Sequence, residues 1–85
     1  MSSLAPDAKP HAVAVRCTED ELIVTLDDGR VLSVPLAWFP RLARASAAQR
    51  DEFELLGNGE GIHWPRVDED ISVAGLLAGH PSSEQ

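Results

Sequence analysis

Val13, Val15 and Cys17 alternate with Ala14 and Arg16, the period-two pattern of a strand with one buried face. After the polar Thr18-Glu19-Asp20, a second run alternates Leu22, Val24 and Leu26 with Ile23, Thr25 and Asp27. A third extends from Arg30 to Val34. Asp28-Gly29 marks a hairpin between the last two runs, and the apolar pattern decides its register. A two-residue loop pairs Leu26 with Val31 and Val24 with Ser33, mixing apolar and polar side chains on both faces. A three-residue loop, Asp27-Asp28-Gly29, pairs Leu22 with Val34, Val24 with Leu32 and Leu26 with Arg30. One face is then almost wholly apolar, and Gly29 falls where a left-handed residue is wanted. The three-residue loop is the expected one.

Beyond Pro35 the period changes. Leu36, Phe39 and Leu42 recur every three residues, as in a helical turn, and Pro40 belongs in the first turn of whatever helix it joins. Ser46-Ala47-Ala48-Gln49 has capping-box form and predicts a helix running to about Phe53. Phe53-Glu54-Leu55-Leu56, the glycine-dense turn Gly57-Asn58-Gly59-Glu60-Gly61 and Ile62-His63-Trp64, stopped by Pro65, predict a second, smaller hairpin. Ser72 caps a short last helix with Val73, Leu76 and Leu77 on one face and Gly79 just past its end. The fold class is α+β: a small antiparallel sheet made of a three-strand meander, a helix, a second short hairpin and a short C-terminal helix, with helices on one face. One folding unit is expected over residues 12–79, with a disordered lead, 1–11, and a disordered tail, 80–85.

Composition narrows the function. The chain has 85 residues, 44% of them hydrophobic, and 7 basic against 14 acidic side chains give a net charge of -7. That balance repels phosphate backbones and anionic membranes, so direct nucleic-acid binding is disfavoured, while a basic protein partner is not. The single cysteine, Cys17, has no partner for an internal disulfide, which fits a reducing compartment. No apolar h-region opens the chain and no apolar run approaches membrane-spanning length. A cytoplasmic location is expected.

Chemistry-bearing residues concentrate between Asn58 and Ile71. His63 with Glu60 is the candidate for a small ligand or metal, but no CxxC, HExxH or calcium-loop spacing accompanies it, so neither metal nor cofactor is expected. Asp68, Glu69 and Asp70 precede the helix at Ser72. There they favour its dipole, or form a negative patch for a basic partner. Trp64 is either core or an exposed anchor in such an interface, and with the three acids it makes up the candidate docking edge. The arginines Arg41, Arg44 and Arg50 lack interleaved aromatics for base stacking and read as a solvated face. Catalysis has little to work with. His11 and His80 are in the tails, and Arg16, adjacent to Cys17 on a strand, points to the opposite face. No catalytic residue is expected, nor an enzyme.

Asp28-Gly29-Arg30, Pro35-Leu36-Ala37-Trp38-Phe39-Pro40-Arg41-Leu42, Gly61-Ile62-His63-Trp64-Pro65, Asp68-Glu69-Asp70-Ile71-Ser72-Val73 and Leu76-Leu77 together resemble the bacterial family numbered 2442 among domains of unknown function. The resemblance implies a small α+β domain, found alone or ahead of a helix-turn-helix domain. It also implies frequent encoding beside a second short gene, an arrangement read as toxin–antitoxin-like. It implies no catalytic residues. The expectation is a protein-interaction module, the antitoxin-like partner of a two-gene pair. The alternative is an accessory or sensing domain that binds a small ligand or metal near Glu60 and His63.

Overall fold

The computed structural model describes residues 9–80. Most of the expected lead and tail, residues 1–8 and 81–85, lies outside the described residues. Strands β1 (Ala12–Cys17), β2 (Glu21–Leu26) and β3 (Val31–Pro35) form an antiparallel meander. Its second hairpin has the expected register, with Leu22 opposite Val34 and Val24 opposite Leu32. The Leu26 N–H donates to the Arg30 carbonyl at 2.8 Å, and Gly29, at φ 95°, takes the left-handed position of the three-residue loop.

β1 departs from strict alternation. The ladder to β2 shifts between Ala12 and Ala14, a bulge that turns Val13 outward, 57% exposed, and Ala12 inward. The reason lies in the second half of the chain. The Ala12 N–H donates to the Gly59 carbonyl at 2.7 Å, and the two backbones come so close that a side chain at position 59 has no room.

After a single 3₁₀ turn, Leu36–Trp38, helix α1 (Pro40–Ala43) starts with Pro40 at its first position, as expected. α2 (Ala47–Arg50) opens with the predicted capping box. Ser46 Oγ accepts from the Gln49 N–H at 3.1 Å, and Gln49 Oε1 accepts from the Ser46 N–H at 3.0 Å. It is one turn long and does not reach Phe53. The Arg50 carbonyl, which a longer helix would pair within itself, accepts instead from Trp64 Nε1–H at 3.0 Å. That leaves Phe53 to tilt against the Trp64 ring, centroids 6.2 Å apart.

β4 (Glu54–Leu56) and β5 (Gly61–Trp64) form the expected second hairpin. A third strand, β6 (Glu69–Ser72), completes a sheet of order β4-β5-β6. The acidic triplet is therefore not a run leading up to the last helix. Asp68, at φ 56°, closes the turn, and Glu69-Asp70-Ile71-Ser72 alternates inward and outward against β5. α3 (Val73–Ala78) follows at once. Ser72 Oγ accepts from the Gly75 N–H, and Gly79 ends the helix left-handed with the His80 N–H on the Gly75 carbonyl. Both sheets and the helical turns share one apolar cluster, centred on Leu22, Val24, Leu42, Ile62 and Trp64.

Candidate functional site

Strand register sorts the residues between Asn58 and Ile71 onto two faces. Ile62, Trp64, Glu69 and Ile71 point into the core, while His63 and Asp70 point out. Trp64 is 0% exposed, so the expectation of a surface anchor is corrected. It sits one residue beyond His63 on the strand, which puts it on the buried side, and its indole N–H is already used. Glu69, opposite Trp64 on the same inward face, is 6% exposed, so it too is withdrawn from any docking edge. Asp68 serves the turn through its backbone, its carbonyl accepting from Arg41 Nη1 at 2.7 Å. Of the four expected docking residues, Asp68 and Asp70 keep exposed side chains.

The outer face holds a row not foreseen as a unit. Glu54, His63 and Asp70 lie directly opposite one another across the three strands. His63 Nδ1 is 2.5 Å from Asp70 Oδ1, which orients the imidazole. Glu54 was missed although its place follows from the hairpin: pairing across Gly57–Glu60 puts it opposite His63. Glu60, the other half of the expected ligand pair, is in that turn, and its carboxylate faces His11, with Oε2 3.8 Å from Nε2. Glu60 and His63 thus have different partners, and among the described residues no three His, Cys, Asp or Glu side chains converge to hold a metal.

His11, expected in a loose lead, is tied to the turn between β2 and β3. Its N–H donates to Asp27 Oδ1 at 3.1 Å, and the Asp27 N–H donates back to its carbonyl at 2.8 Å. Next to it, Lys9, Pro10, Glu60 and α3 line an open groove of about 560 Å³, with Val73, Ala74, Leu77 and Ala78 as its apolar wall. Arginines that sequence placed on a solvated face serve structure. Besides Arg41, Arg50 donates from Nε to the Leu42 carbonyl and from Nη2 to that of Ala43, closing the C-terminal end of α1.

Cys17 faces the core side of β1, half-buried. Burial pushes its thiol pKa up, against a smaller lowering by the Arg50 guanidinium, and Asp51 adds to the rise. At neutral pH it stays a thiol and a poor nucleophile. Iodoacetamide at pH 7.5 is expected to label folded protein several-fold more slowly than the same chain in urea; equal rates would contradict the burial. Because the folded pKa is the higher one, this group's stabilisation is full below the ordinary thiol range and is lost as pH climbs from there through the raised folded value.

Charge is segregated along the chain. Seven of its fourteen carboxylates lie between Asp51 and Asp70, and that segment holds one Lys or Arg, Arg66. Arg66 Nη1 is 2.9 Å from Glu52. No described helix is long and apolar enough to cross a membrane.

Comparison with known proteins agrees with the fold. The chain is 33% identical to a protein of unknown function from Rhodospirillum rubrum, whose crystal structure superposes with a TM-score of 0.78 over 91% of this chain and 95% of that one. An uncharacterised protein from Chromobacterium violaceum, solved by NMR, is 27% identical, with a TM-score of 0.71 over 86% of this chain and 69% of that one. No curated protein matches at a significant level. Residues 12–82 match the family described as a protein of unknown function, DUF2442, and with the whole meander, both turns of the second sheet and α3 inside that match, the chain belongs to this family.

Proposed function

We propose that the chain is a non-catalytic, cytoplasmic protein-interaction module, the antitoxin-like half of a two-gene pair, whose partner presents a basic surface to the second sheet. The observation that carries this reading is the charge segregation: the segment from Asp51 to Asp70, which leads into the second sheet and forms most of it, holds half of the carboxylates, with Glu54 and Asp70 exposed on one outer face. Such a face steers a cationic partner during encounter and contributes more to association rate than to lifetime. Asp70 also orients His63, which gives the face a fixed polar centre. Co-expression with the product of the adjacent gene is expected to yield a complex that survives purification at low salt. Glu54→Lys with Asp70→Lys is expected to lower the association rate by roughly tenfold at low ionic strength and much less at high salt. Absence of a complex at micromolar concentrations, or a rate indifferent to both charge reversals, would overturn the reading.

The groove beside α3 supports a second reading, a sensing domain for a small ligand with an apolar body and a cationic group for Glu60. A thermal-shift screen favours it if one such compound raises the melting temperature and Glu60→Gln removes the rise.

A further inference from the structure

β4 is the open edge of the second sheet, and all three of its residues, Glu54, Leu55 and Leu56, are exposed. The inward row Leu55–Ile62–Ile71 is buried at its centre and far end, yet Leu55 is 39% exposed, so the apolar layer runs out to the edge and stops uncovered. On the outer side Leu56 is 42% exposed and leans over Gly61, which offers no side chain to cover it.

Both edges of the first sheet carry the usual guards against added strands. β1 is bulged at Val13, and β3 ends in Pro35 and lies against α3. β4 has neither bulge nor proline, and its register with β5 runs unbroken from Glu54 to Leu56. Three residues offer few backbone hydrogen bonds, so a guest strand needs side-chain complementarity as well. Carboxylates supply it: Asp51 and Glu52 precede the edge, Glu54 is in it, and Arg66, the segment's one Lys or Arg, is held by Glu52. A second copy of the chain would bring like charges together at this edge, whereas a cationic strand matches it.

We infer that β4 accepts an extended segment of a partner protein in which apolar residues alternate with lysine or arginine. Its apolar side chains continue the Leu55–Ile62–Ile71 row, and its cations meet Glu54 on the outer face. This rests on the basic-partner reading and names the edge and the mode of contact.

The probe is a capped Val-Lys-Val-Lys-Val peptide titrated into the ¹⁵N-labelled full chain. Saturable amide shifts centred on Glu54, Leu55 and Leu56 are expected. Two controls accompany it: a fully N-methylated analogue, which keeps the charge but donates no backbone hydrogen bond, and the glutamate-for-lysine peptide. Both are expected to bind at least roughly tenfold more weakly, as is the lysine peptide to Leu55→Lys. Equal binding of the N-methylated analogue overturns strand addition and leaves the basic-partner reading standing. Equal binding of the glutamate peptide overturns both. No saturable shift at β4, or concentration-dependent broadening of β4 before any peptide is added, overturns the edge proposal, while the co-expression result decides the broader reading separately.

Discussion

Trp64→Ala is expected to remove most of the protein's stability. The indole is the largest fully buried side chain. It fills the space between the second sheet, Phe53 and the end of α2, and truncations of this kind cost about 3–5 kcal/mol. Domains of this size have a margin near the low end of about 5–15 kcal/mol, so the variant should be substantially unfolded near physiological temperature. Part of the cost is polar. Without the indole N–H the part-buried Arg50 carbonyl loses its donor, which costs up to the ~1–3 kcal/mol of a fully buried unsatisfied acceptor. Trp64→Phe separates the contributions, since it keeps much of the ring volume and loses the donor. The order expected from urea midpoints is wild type, then Phe, then Ala, with the Phe variant still cooperative. A Trp64→Ala protein with wild-type stability and a lost partner would restore the interface role that burial denies.

The fate of this residue shows what the sequence disclosed and what it withheld. Alternation and turn chemistry were sufficient for the meander: Gly29 and the apolar pairs Leu22–Val34 and Val24–Leu32 specify the same loop, so local and long-range preferences agree. The capping box at Ser46 and the left-handed Gly79 were legible for the same reason. Where pattern failed, a tertiary partner decided. α2 stops after one turn because an indole eighteen residues from Ser46 takes a helix-end carbonyl. The bulge at Val13 answers to a glycine forty-six residues later. β6 was hidden because three consecutive acids read as a solvated run, and burying Glu69 beside Trp64 has no local signature. The candidate site suffered most. Face assignment on the acidic triplet needs β6, and with that strand unseen Glu69 could not be separated from Asp70, whereas alternation along β5 already puts Trp64 and His63 on opposite faces. Glu54 too was recoverable from the hairpin already in hand.

Gly59→Ala is the second substitution expected to act far beyond its size. Gly59 sits at φ 102°, where an L side chain is strained, and a Cβ there would lie 2.4 Å from the Ala12 carbonyl oxygen and 2.9 Å from the Ala12 nitrogen. Both neighbours are backbone, so no rotamer change relieves them. Conformational strain of about 1–3 kcal/mol and overpacking of a further ~1–3 kcal/mol act together. They act at the joint between the sheets, where the Ala12 N–H meets the Gly59 carbonyl and His11 bonds Asp27. Gly29→Ala is the matched control: its φ of 95° carries similar strain, but an added Cβ there meets nothing within 4 Å. The urea midpoint is therefore expected to fall far more for Gly59→Ala than for Gly29→Ala, with amide shifts at His11, Ala12 and Asp27 in any Gly59→Ala protein that still folds. Equal losses for the two variants would mean that left-handed strain alone is at work and that the sheets do not close on each other through Ala12. A selective loss at Gly59 would make this hydrogen-bonded crossing the reason that β1 bulges, that Val13 faces solvent, and that two three-stranded sheets fold around one core.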